Sequence, residues 1–151
     1  MNKNMKFITE FSDDDFTAPH QFELYNYWLK LKQGSNLPAR SDIDIIKLKH
    51  MLPSLMLFDY ESDSEALIFR LIGTACVAIY GEKTGKDIGS FQELSNGEKR
   101  LLWSVYNKKP YYGVKKLSNI DKDYLHNSFI VLPLSDDGET VNKLLVSHHF
   151  Y

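Results

Sequence analysis

Residues 127–150 read NSFIVLPLSDDGETVNKLLVSHHF. Two apolar runs, Asn127 to Leu134 and Val141 to Phe150, flank Ser135-Asp136-Asp137-Gly138. An Asp-Gly pair between apolar runs is a hairpin signal, because both residues tolerate the positive φ of a tight turn. The stretch therefore predicts two antiparallel strands. Upstream, Tyr111 to Leu117 reads as a third strand, so the chain closes on a meander.

The meander is preceded by a helix. Ser95-Asn96-Gly97-Glu98 matches a capping box, and Leu101, Leu102, Val105 and Tyr106 follow at helical spacing. Lys108 and Lys109 suit the negative C-terminal end, and Pro110 stops it. Before it, Gly81, Gly85 and Gly89 punctuate a polar stretch, and Thr74 is placed to cap a short helix through Cys76, Val77 and Tyr80. Leu55 to Tyr60 and Ala66 to Ile72 form a hairpin around Glu61-Ser62-Asp63-Ser64. Both runs are apolar at successive positions, so both sheet faces should be covered.

Near the N-terminus, residues 21–33 read as a helix. Phe22, Tyr25 and Leu29 make one stripe, widened by Leu24, Trp28 and Leu31. Gly34 stops it, Asp42 or Asp44 caps a second short helix, and Pro53 ends that one. Residues 1–20 are polar and read as a flexible N-terminal arm, leaving 21–151 as a single domain. The expected class is α+β: a five-stranded antiparallel sheet with helices on one face and an N-terminal helix.

Composition narrows the function. The chain has 151 residues, 43 % hydrophobic and 25 % charged, with formal charge −2. There is no basic excess for a nucleic-acid backbone. One cysteine, Cys76, excludes a disulfide framework within one chain. No secretory leader or membrane-length apolar run is visible, so a cytoplasmic protein is expected.

The order of elements, together with several short segments, resembles a bacterial PAS-like family. Those segments include Tyr25-Asn26-Tyr27-Trp28, Leu37-Pro38-Ala39-Arg40-Ser41-Asp42-Ile43-Asp44 and Leu52-Pro53. Phe69-Arg70-Leu71-Ile72-Gly73-Thr74, Thr84-Gly85-Lys86 and Leu132-Pro133-Leu134-Ser135-Asp136-Asp137-Gly138 complete the set. The resemblance implies a sensory or protein-interaction domain of bacterial signalling and carries over no catalytic residue.

Cys76 sits in Gly73-Thr74-Ala75-Cys76-Val77-Ala78, without the Asn and Arg that flank the flavin-reactive cysteine of photosensing relatives. It reads as a small core residue. The long helix has no histidine to hold haem, and the adjacent His148 and His149 must point to opposite faces of a strand. No catalytic, metal or cofactor site is therefore expected. If a ligand binds, it should lie between the sheet and the helices spanning 74–109. Arg70 or Tyr106 would supply its polar contact; Phe58, Tyr80, Trp103 and Phe129 would line the pocket. Against this stands a core simply filled by those aromatics, with Arg70 paired or laid along the sheet. The broad apolar band of 21–33 suggests a homodimer through that helix. The expectation is a module that binds a small molecule or a partner protein. The alternatives are a ligand-free interaction or structural domain and, with less support, a small α+β enzyme.

Overall fold

The computed structural model describes residues 5–34, 36–117 and 126–151. Its strands are β1 (Met5–Ile8), β2 (Leu55–Glu61), β3 (Ala66–Ile72), β4 (Tyr111–Lys116), β5 (His126–Leu134) and β6 (Lys143–Phe150). They form one antiparallel sheet of six strands in the order β1-β4-β5-β6-β2-β3. The helices are α1 (Pro19–Leu31), α2 (Thr74–Tyr80) and α3 (Ser95–Asn107), with short 3-10 turns between them.

Five of the six strands lie where the apolar runs placed them. The sixth, β1, comes from the stretch expected to be a flexible arm, so the expected five-stranded sheet gains an edge. Four residues carry no strand signal of their own; β1 exists because β4 offers a free edge, with Phe7 opposite Gly113. Pro19 likewise opens α1 instead of closing an arm, since proline lacks only an N–H that the first helical turn leaves unpaired.

Two local expectations shift for identifiable reasons. The capping box at Ser95 does not form. Ser95 already has helical φ/ψ of −59° and −37°, because the chain enters α3 directly from the 3-10 turn Gln92–Leu94. β6 begins at Lys143, two residues late. Asp137 Oδ1 accepts bonds from Glu139 N and Thr140 N at 2.8 and 2.7 Å, which keeps that stretch in the turn.

Both sheet faces are covered. Asn127, Phe129 and Val131 of β5 face α2 and α3, while Ser128 faces α1. Gln21, fully buried in α1, donates to Ser128 O at 3.0 Å, and Trp28 Nε1 donates to Pro133 O at 2.9 Å. Asp44 caps the 3-10 segment Ile45–Ser54 by accepting from Ile46 N at 3.0 Å; this is the second short helix in tighter form. Buried Leu48 and Met51 on this segment join the core.

The outer edge of β3 is covered too. Phe69 N donates to Lys86 O at 3.0 Å, and Gly85 N donates to Phe69 O at 2.6 Å. Gly73, just after β3, is a point of close approach. A Cβ there would lie 2.3 Å from Pro53 O and 2.4 Å from Leu52 O.

Candidate functional site

A cavity of ≈ 80 Å³ lies between the sheet and the α2–α3 region. Period-two alternation builds its floor: Met56 and Phe58 from β2, Phe129 and Val131 from β5, Val146 and His148 from β6. Tyr80 at the end of α2, and Arg100 and Leu101 in α3, close it from above. Gly113 allows Phe129 to lie flat against β4, where a Cβ would stand 2.7 Å from the ring.

A polar chain crosses one end. Asn127 Nδ2 donates to Tyr80 Oη at 2.7 Å, and Asn127 Oδ1 lies 3.1 Å from His148 Nδ1. In this assigned amide orientation Oδ1 can only accept, so His148 carries its hydrogen on Nδ1 and leaves a lone pair on Nε2. Nε2 is buried with no hydrogen-bond partner, as is Arg100 Nη1. Burial pushes the His148 pKa down to about 3, helped by the nearby His20 and Lys115 charges. Burial also pushes the Tyr80 phenol up to about 12 and lowers Lys115, another lining residue. The Arg100 guanidinium stacks on Phe7, 5.1 Å from the ring centroid.

Of the expected pocket residues, Phe58, Tyr80 and Phe129 meet at this cavity. Arg70 does not reach it. Leu57 pairs with Leu71 and Phe58 with Phe69, so Arg70 is the unpaired residue of a β-bulge and is exposed. Trp103 stands behind the lining, edge-on to Phe7 at 5.4 Å and to Tyr111 at 6.2 Å. Tyr106, 54 % exposed, points outward and donates to Glu65 Oε1 at 3.0 Å. The polar residues of the cavity are instead Arg100, Lys115, Asn127 and His148. Strand alternation held the signal for three of them: counting back by two from Val131 reaches Asn127, forward from Val146 reaches His148, and forward from Tyr111 reaches Lys115. The adjacent histidines do face opposite ways, His149 Nδ1 lying 2.8 Å from Thr17 Oγ1.

Cys76 is fully buried, lies outside the cavity lining, and has its thiol pushed up to about 12 by burial. A flavin-reactive thiol must face its ring as a thiolate, and ≈ 80 Å³ is too small for a tricyclic ring. The residues present do not fit that chemistry. Among the described residues, no three His, Cys, Asp or Glu side chains gather to hold a metal ion. Among the same residues, no helix is long and apolar enough to cross a membrane.

The family model for PAS domains matches residues 16–146, so the chain belongs to the PAS domain family. The fold is the one typical of PAS sensory modules. A solved structure of an RNA-binding light-oxygen-voltage receptor aligns with a TM-score of 0.50 at 10 % identity. The alignment covers 96 % of this chain and 38 % of the receptor chain, so this chain spans well under half of the receptor's length. At that identity the likeness is one of fold alone. Among curated proteins, no relative matches the chain.

Proposed function

We propose that this PAS domain is a sensory module that holds a small molecule between its sheet and the α2–α3 region and signals its presence to a partner protein. One observation carries the reading: an apolar cavity of ≈ 80 Å³ into which polar side chains converge, two of them with unpartnered buried nitrogens. A filled structural core has no reason to keep such nitrogens unpaired. Gly81 and Gly85, both at φ 85°, lie in the connection between Tyr80 and Ile88, which both line the site, and give that connection the freedom a switch needs. The module binds and does not convert its ligand, since the lining offers no carboxylate and no activated nucleophile.

The test is a cavity-filling variant, Val131→Phe, compared with wild type by native mass spectrometry after incubation with a metabolite extract. Wild type should retain a small molecule that the variant loses, while the variant melts at the same temperature or higher. A destabilised variant and no retained compound in wild type would leave the module without its ligand.

A second reading concerns assembly. Phe22 and Leu29 of α1 are each 41 % exposed, which suits a homodimer through this helix. Tyr25 packs against Phe11 and Phe16 of its own chain, so it is the wrong position to probe. Phe22→Glu with Leu29→Glu should give a folded monomer by sedimentation. A monomeric wild type removes this reading.

A further inference from the structure

The cavity has a sign as well as a size. That sign selects a ligand only if the cavity is a small-molecule site, the reading on which this proposal rests. Arg100, Lys115 and His148 reach the lining, and no Asp or Glu does. Among the described residues, the salt bridges are His50–Glu23 and Lys143–Asp59, which leaves Arg100 and Lys115 without an acidic partner. His148 is 6 % exposed, and its Nε2 finds no hydrogen bond; nor does Arg100 Nη1. Cationic and polar nitrogens held at the edge of an apolar cavity are costly unless something pairs with them. Stacking on Phe7 holds the guanidinium in place before any ligand arrives, so little side-chain freedom is lost on binding.

We propose that the cavity takes a small monocarboxylate with an apolar body. Its carboxylate pairs with Arg100 and Lys115, and its hydrocarbon lies against Phe58 and Val131. The volume decides the size: ≈ 80 Å³ gives room for roughly five to eight water-sized atoms, the scale of a five-carbon acid. A dicarboxylate would bury a second charge against the aromatic wall. A neutral alcohol could donate to His148 Nε2 but would leave both cations unpaired.

The probes are pentanoate, pentan-1-ol and pentylamine, titrated into isotope-labelled full-length protein and followed by amide chemical shifts. Pentanoate should bind about tenfold more tightly than pentanol, as charge-assisted hydrogen bonds provide, and pentylamine should not bind. Arg100→Met should abolish that tenfold preference by weakening pentanoate. Lys115→Met is the second variant, which serves if Arg100→Met fails to fold. Pentanol binding as tightly as pentanoate overturns the carboxylate assignment and leaves the small-molecule reading standing. So does dissolved xenon shifting Phe129 and Val131 when pentanoate does not bind. If xenon, pentanol and pentanoate all leave these residues unmoved, both readings fall.

Discussion

His148 Nδ1 lies 3.1 Å from Asn127 Oδ1, and this contact turns the other ring nitrogen toward the cavity in its neutral form. Burial holds the folded pKa at about 3, against 6.5 for an ordinary histidine. Below pH 6.5 the unfolded chain takes up a proton that the folded chain refuses. The stability is therefore fully present above pH 6.5 and drains away as the pH falls toward 3. Between pH 6.5 and 5 the loss should be about 2 kcal/mol. Urea unfolding at stepped pH should show this slope in wild type, and His148→Gln should flatten it. An unchanged slope in the variant would assign the loss to other groups.

Gly73→Ala should be severely destabilising. The added Cβ would lie 2.3 Å from a backbone oxygen, and backbone cannot swing aside as a side chain can. Gly73 has φ −63°, so the cost is steric and not conformational. A loss of about 3 kcal/mol is expected, read as a lower urea midpoint with an unchanged m-value.

Trp103→Ala should cost about 2 kcal/mol, less than a fully buried tryptophan, because the ring is half-buried behind the lining. Pentanoate affinity should stay within twofold of wild type. Arg70→Ala, at the exposed bulge, should change stability by under about 0.5 kcal/mol and leave affinity alone. A large affinity change in either variant would mean that the cavity reaches past the Phe58, Phe129 and Arg100 walls.

Cys76 should resist thiol reagents in the native state at neutral pH. Its side chain is fully buried and its thiol is held up to about 12, so neither access nor thiolate is available. Iodoacetamide labelling should track global unfolding through a denaturant series. Rapid labelling of the folded protein would show that α2 opens locally.

The strands were legible because burial on both faces wrote continuous apolar runs, as in Ile130–Leu132. β1 was not, since Met5–Ile8 is short and its pairing belongs to β4 as much as to itself. The expectation that any ligand would lie between the sheet and residues 74–109 came from the resemblance to PAS-like domains, and a cavity lies there, but its chemistry was not legible. Arg70 sits in a strand like any other; the bulge that turns it outward is a property of its pairing with β2 and leaves no mark in the sequence. Arg100 was hidden by a similar rotation. α3 buries Leu101, Ser104 and Val105, and this stripe carries Arg100 to the cavity while swinging Tyr106 into solvent. His148 looked ordinary because being buried with one nitrogen unpaired is a fact of three dimensions.

The strip of backbone at 85–87 also decides the fate of a sheet edge. An open strand edge invites other chains to add themselves to a sheet. At the opposite margin β1 limits that risk by being only four residues long. β3 is longer, at seven residues, and depends on Gly85 and Lys86 to occupy the backbone groups of Phe69. Displacing this strip would bare those groups. Resistance to fibril-like growth at this edge thus depends on the same two hydrogen bonds that seat the backbone leading to Ile88 in the cavity wall.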